Sequence, residues 1–259
     1  MRHFHYAALA VVTVFGFASV ASAADMPVKA PVYKPQPRTF SWTGLYVGAS
    51  GGCGWAKQEI KSFTPSDVDD VFFGDFTSTG NGGCFGGGQI GYNYQFSERW
   101  VVGIEADAMW SSLKTSGTLF EDDGAESTNY NGKLTSFGTV RARLGMATQW
   151  GAVPILPYIT GGWAWGRNSV SATSDIGDTP TFPSSDKQTH SGWTIGAGLE
   201  AAVYQNWSVK VEYLYLDLGS KNYPNVAIEA PTDTGVFVPG ANINLKVQTI
   251  KLGLNYRFL

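Results

Sequence analysis

The chain has 259 residues, a net charge of −3, 32 glycines, 14% aromatic residues and only 15% charged residues. There is no basic excess of the kind nucleic acid requires, so no partner of that class is expected. Low charge with abundant glycine and aromatics argues against a helical protein and for an all-β one.

The chain opens on MRHFHYAALAVVTVFGFASVASAAD. Arg2 precedes an apolar run from about Ala7 to Val20, and Ala21-Ser22-Ala23 is a small-residue cleavage site. This reads as a Sec signal peptide, residues 1–23, cleaved after Ala23. A membrane anchor would need about 20 apolar residues. Arg2 is the one charged residue removed, so 236 residues remain with a net charge of −4. No later apolar run is long enough for a spanning helix, so a membrane role would require strands. Residues 24–41 carry prolines 27, 31, 35 and 37. They read as an extended periplasmic tether.

Residues 42–259 read as one β-barrel domain. Alternation predicts strands over 42–56, 83–96, 100–110, 137–148, 155–166, 191–203, 207–218 and 245–258. The connections at 97–99, 149–154 and 204–206 are short, whereas those at 57–82, 111–136, 167–190 and 219–244 are long and polar. Strict alternation of short and long connections with an even strand count predicts an eight-stranded antiparallel up-and-down transmembrane β-barrel. Its short turns face the periplasm and its long loops face outward. A sandwich would mix its connection lengths more freely.

Strand phase indicates what lies on each face. Val102, Ile104, Ala106 and Ala108 alternate with Gly103, Glu105 and Asp107; Val140, Ala142, Leu144 and Met146 alternate with Arg141, Arg143 and Gly145. Residues 191–203 and 83–96 repeat the pattern. In 207–218, Lys210 and Glu212 keep it, but it slips at Leu214 and Leu216. A soluble barrel such as a lipocalin would put its apolar set inside around a dry cavity. Here charges and glycines take the inner phase, so lipid is expected outside.

Several stretches carry a resemblance: the leader ending in ASAAD, the proline-rich tether, SWTGLYVGASGGCGW, GGGQIGYNYQF, GTVRARLG and the terminal GLNYRF. Together they resemble the small porin-like outer-membrane β-barrel proteins of the OmpA-type eight-stranded superfamily, over essentially the whole mature chain. The resemblance implies an abundant, surface-exposed protein in the outer membrane of a Gram-negative bacterium. It implies outer-membrane lipid, lipopolysaccharide and the barrel-assembly machinery as partners, and no assigned reaction. Some similar proteins have been linked to haem or host-surface binding. Such barrels usually end on an aromatic residue read by the assembly machinery; Tyr256 and Phe258 fill that role here, with Leu259 following.

The inner phase collects Glu105, Asp107, Glu200 and Glu212 against Arg141, Arg143, Lys210, Lys251 and Arg257. Counting from the short turns sets Glu105 and Asp107 near the height of Arg143 and Arg141, and Glu200 near Lys210 and Glu212. Paired, they would plug the lumen; unpaired, they would line an ion path. Pairing is favoured, because an uncompensated charge in a confined lumen is costly. Glycines 86, 87, 88, 91, 196 and 198 suit a curved wall where inward bulk would clash. GGGQIG is not a phosphate loop, since no helix follows and GK[ST] is missing. Trp42, Trp100, Trp207, Tyr256 and Phe258 form a lower aromatic girdle; Trp55, Trp110, Trp163, Trp165, Trp193 and Tyr215 form an upper one.

Cys53 ends the first strand and Cys84 starts the second, so an exported hairpin would bring them together as a disulfide at the outer rim. A two-cysteine metal site would lack any nearby histidine. His190, beside Ser191 and near Asp186, is the one histidine left after cleavage. A rim hydrolase would have to use it, and a His-based zinc site is excluded. No enzyme activity, metal or cofactor is expected. The acidic runs DVDDVFFGDF (67–76) and EDDGAE (121–126) are candidate cation or partner contacts. The functional expectation is a structural, surface-presenting outer-membrane barrel whose loops contact a ligand; the alternative is a narrow, low-conductance porin.

Overall fold

The computed structural model describes residues 40–62, 76–80, 82–122, 126–176, 182–229 and 237–258. The leader and the proline-rich segment up to residue 39 lie outside them, as does Leu259. Ten strands are described: β1 (Gly44–Ser62), β2 (Phe76–Thr79), β3 (Gly83–Gln95), β4 (Trp100–Asp122), β5 (Glu126–Met146), β6 (Thr148–Trp150), β7 (Val153–Ile176), β8 (Phe182–Tyr204), β9 (Trp207–Glu229) and β10 (Phe237–Phe258). β2 pairs only with the upper part of β1, and β6 only with β7. The other eight form a ring in sequence order, each antiparallel to its neighbours. β10 closes it on β1, from Leu45 opposite Phe258 to Ser62 opposite Ala241. Closure leaves no unpaired edge, which hydrocarbon would not tolerate.

The eight predicted strands are all present, but six of them run far past their predicted ends. β4 continues to Asp122, β5 starts at Glu126, β7 reaches Ile176, β8 starts at Phe182, β9 reaches Glu229 and β10 starts at Phe237. Most of the stretches 111–136, 167–190 and 219–244, expected as loops, are therefore paired ribbon. Their inward positions mix apolar residues such as Leu113 and Val170 with polar ones such as Thr115 and Asn168, so the apolar alternation is too sparse to mark them as strand. The turns between β3 and β4 and between β8 and β9 are tight, the latter holding Gln205 at φ 39°.

The outer wall between the girdles is apolar. Ile104 is 64% exposed and Leu252 62%. Ten residues separate Trp100 from Trp110 on β4; at ~3.3 Å per residue and a strand tilt of ~40° this is ~25 Å of height, the thickness of a barrel's lipid band. Trp100, Trp207 and Phe258 are exposed at the lower edge, and Trp55, Trp110, Trp163 and Trp193 at the upper edge. Trp42 does not belong to the lower girdle. It is 1% exposed, inside the barrel mouth, where Val101, Leu156 and Ala202 surround it.

The interior is not charged throughout. Above the ionic layer lies a buried apolar layer that includes Phe85, Met109, Leu113, Phe137, Leu214, Leu216, Leu218 and Val247. Leu214 and Leu216, read from the sequence as a phase slip, keep the inward phase of Lys210 and Glu212 and are 1% and 0% exposed. The alternation never breaks; the inner face changes from ionic to apolar partway up the strand.

Candidate functional site: the sealed lumen

Four layers fill the barrel from bottom to top. The lowest is the Trp42 cluster, with Phe40 packed against it. Arg257 crosses its edge, its guanidinium 4.7 Å from the Trp42 ring centre and 5.0 Å from that of Phe40, and it donates to the Ser41 carbonyl at 3.0 Å. Phe40 and Ser41, read as the end of the tether, thus cap the barrel mouth.

The ionic layer comes next. Every one of its nine predicted members is buried. Arg141, opposite Glu105 across the β4–β5 ladder, donates to Glu105 at 2.6 Å and to Asp107 at 2.8 Å, and lies 3.0 Å from Glu212. Lys251 spans Asp107 at 2.8 Å and Glu212 at 2.9 Å. Arg143 reaches Glu200 at 2.8 Å and Glu105 at 3.5 Å. Arg257 lies 3.7 Å from Glu200.

Two placements differ from the expectation: Glu105 stands opposite Arg141 and Arg143 opposite Gly103, two residues from the counted height, and Lys210 leaves its ladder partner. Lys210 faces Glu200 in the ladder, yet its ammonium crosses the lumen to Glu105, at 2.6 and 2.7 Å from the two carboxylate oxygens. Glu200 instead accepts from Arg143, from the Ser208 hydroxyl at 2.5 Å and from Asn255 at 3.1 Å. In so narrow a barrel the opposite wall is within reach of a long side chain, so bonds across the lumen compete with bonds along the ladder.

Two tyrosines were missed by the sequence reading. Tyr46 donates to Glu105 at 2.7 Å and accepts from Arg143 at 2.8 Å; Tyr158 donates to Glu212 at 2.8 Å. The Arg143 guanidinium lies 3.9 Å from the Tyr158 ring centre and 5.8 Å from that of Tyr46. Each ring rests on an inward glycine of an adjacent strand, Gly91 for Tyr46 and Gly198 for Tyr158, where an added Cβ would overlap ring atoms. These glycines meet the steric expectation. Gly86 and Gly88 do not, because they face outward and an added Cβ would meet nothing closer than 3.8 Å. Strand parity could have found Tyr46: it shares the inward phase of Ser50 and Ala56.

Above the apolar layer sits a neutral polar one. Gln58 donates to Asn168 at 3.4 Å, and Asn168 donates to the Tyr223 hydroxyl at 3.1 Å. The Tyr223 hydroxyl is 2.7 Å from His190 Nε2, while His190 Nδ1 lies 3.2 Å from the Gly219 carbonyl. A carbonyl only accepts, so Nδ1 carries a proton; in the neutral ring that burial favours, Nε2 then accepts from the Tyr223 hydroxyl. Burial, and secondarily Lys221, hold the His190 pKa below its ordinary value against the opposing pull of the Gly219 and Leu218 carbonyls. Ser191 points out of the barrel and is exposed, and Asp186 binds the backbone N–H of Lys187 at 2.7 Å. Among the described residues, then, His190, Ser191 and Asp186 do not converge.

Cys53 and Cys84 are bonded, with their Cα atoms 4.0 Å apart, as directly opposed residues of β1 and β3 on the outer face. Tyr256 packs edge-on against Trp207 and Phe258, with ring centres 5.1 and 5.2 Å apart. The run 67–75 lies outside the described residues, as do 123–125 within the second acidic run.

The family model for an outer membrane protein beta-barrel domain matches residues 9–258. The chain belongs to the outer-membrane β-barrel family. It is 38% identical over 250 residues to the 31 kDa outer-membrane immunogenic protein of Brucella melitensis biotype 1, covering 93% of this chain and 95% of that one. It is 30% identical to the 22 kDa outer membrane protein of Rhizobium leguminosarum bv. viciae, over 84% of this chain and 79% of that one. Among solved structures it is similar to the outer membrane protease OmpT of Escherichia coli, at 12% identity and a TM-score of 0.48, covering 86% of this chain and 99% of that one. This family membership places the barrel in the outer membrane of a Gram-negative cell.

Proposed function

We propose that this outer-membrane barrel is a sealed anchor that holds long β-ribbons and their connecting loops at the cell surface, and that it does not conduct. The observation that carries this reading is the filled lumen: an ionic layer closed below by Trp42 and its neighbours and above by a buried apolar layer. An ion entering would have to break paired charges and then cross Leu214, Leu216, Phe85 and Phe137 without water. A narrow porin would need neither barrier. The paired strands that extend beyond the upper girdle supply the presented surface, and relatives named outer-membrane immunogenic proteins fit a surface-presenting role.

The partners in this reading are outer-membrane lipid and lipopolysaccharide around the wall, the barrel-assembly machinery at Tyr256 and Phe258, and a surface ligand at the loops. Haem held by histidine is not part of it, because His190 faces inward and is engaged at both ring nitrogens. Nor is catalysis, since Ser191 and Asp186 stand apart from His190. Planar-bilayer recording of the refolded mature chain tests the proposal: no unitary current is expected, and steady ohmic steps would overturn it.

A further inference from the structure

The outer wall above the upper girdle carries a one-sided cluster of cations. Lys114 on β4 lies directly opposite Lys133 on β5; Lys133 is opposite Ser169 on β7, and Ser169 opposite Lys187 on β8. These four residues form a single row across the wall, spanning ~15 Å at the ordinary strand spacing. Arg167 sits two residues below Ser169 on the same face. Lys114, Lys133, Arg167 and Lys187 are all exposed. Lys114 is four residues past Trp110, and Arg167 two past Trp165, so the row stands ~10 Å or less above the aromatic girdle, at headgroup height.

Missing counter-charge separates this row from an ordinary solvated face. Like charges directly opposite one another in a ladder are destabilising; Lys114 and Lys133 are so placed, and so are Lys57 and Lys246. Among the described residues, no carboxylate lies within 4.0 Å of any of the four cations; Asp186 binds the Lys187 backbone and Asp217 the Gly219 N–H instead. By contrast, the outward lysines on the far side of the barrel, Lys57 and Lys246, share Glu59 at 3.3 and 3.1 Å. At the periplasmic turns the described charges are the balanced pair Glu98 and Arg99. The excess of cations thus sits at one height, on one side, and continues the wall's contact with lipid.

We propose that Lys114, Lys133, Arg167 and Lys187 form a binding site for the phosphate groups of anionic lipid in the outer leaflet. The lipid supplies the missing counter-charge, its chains lie on the apolar wall below, and its phosphates bridge the row. The site rests on the outer-membrane placement of the barrel but not on whether the lumen conducts.

The test uses the full mature chain folded in detergent, with purified lipopolysaccharide, the same lipid dephosphorylated, and inorganic phosphate as probes. Each cation near an anionic headgroup is worth about fivefold in affinity, so K114Q/K133Q and R167Q/K187Q should each bind the phosphorylated lipid more than tenfold more weakly, and the four-fold variant roughly several hundredfold more weakly. K57Q/K246Q should stay within about twofold of the parent. Dephosphorylated lipid should bind the parent as weakly as phosphorylated lipid binds the four-fold variant, and the parent's affinity should fall steeply with salt. Equal binding by the parent and either double variant, equal binding of dephosphorylated lipid, or inorganic phosphate binding as tightly as the lipid would each overturn the site. Heat-modifiable gel mobility in neutral vesicles reads folding separately: its loss in a variant restricts the comparison to the double variants that fold, and its absence in the parent would sink the barrel itself.

Discussion

At the residue scale, Glu105 and Arg143 are the members whose loss matters most. Glu105 is shared by Tyr46, Arg141, Lys210 and Arg143. Removing one partner from a buried ionic pair costs about 3–5 kcal/mol, because the charge left behind stays desolvated. Arg143→Ala should therefore lower the temperature at which the folded band disappears on a heated gel. Glu105→Ala should lower it further, since Lys210 loses its carboxylate partner while Arg141 and Arg143 each lose one of theirs. If Arg143→Ala leaves that temperature unchanged and opens a current, the lumen is a path and not a plug. His190 adds a pH dependence at the upper, polar layer, outside the lipid band. Its folded pKa is lowered, so its contribution to stability is complete above the unfolded value of about 6.5 and is lost as pH falls from there through the folded value. Denaturant midpoints compared between pH 8 and pH 5 should fall less in His190→Gln than in the parent; an identical slope in both would show that His190 is not depressed.

At the element scale, the β1–β3 hairpin is tied twice, by its ladder and by Cys53–Cys84 across 31 residues of sequence. Closing a loop of that size stabilises by about 3–4 kcal/mol in the chain-entropy account. The Cys53→Ser, Cys84→Ser double variant should unfold at clearly lower urea than the oxidised parent and should be insensitive to reductant. Free thiols in a non-reducing peptide map of the parent would remove the basis for this. Gly198→Ala tests the interior fit: the new methyl meets the Tyr158 ring, and overpacking of this kind costs about 1–3 kcal/mol. Gly86→Ala, on the outer face, should cost far less. The hairpin and its cysteines were legible because alternation and spacing are local properties. Gly86 and Gly88 were not, since a glycine shows no face of its own. The ribbons above the membrane were hidden for a related reason: their inward positions mix polar and apolar residues, as in Asn168 beside Val170, so period-two hydropathy is weak.

At the scale of the whole molecule, the sequence discloses the closed ring, its strand order and its inside-out polarity, because lipid imposes one phase on every strand. It does not disclose the layers within. An inward leucine such as Leu214 looks like an error of phase until buried apolar residues on distant strands, Phe85 and Phe137 among them, are known to be inward too. Lys210 shows the same limit: its ladder partner is Glu200, but its charge partner is Glu105 on the opposite wall. Trp42 carries the girdle's chemistry and sits in the plug, since nothing in its own neighbourhood distinguishes a rim from a mouth. Which leucines meet lipid decides the inside-out polarity of the barrel. Photolabelling the vesicle-embedded barrel with a membrane-soluble carbene compares like with like: Leu252 and Leu254 should be labelled heavily and Leu214 and Leu216 left clean, whereas equal labelling of the two pairs would contradict the assignment of inner and outer faces.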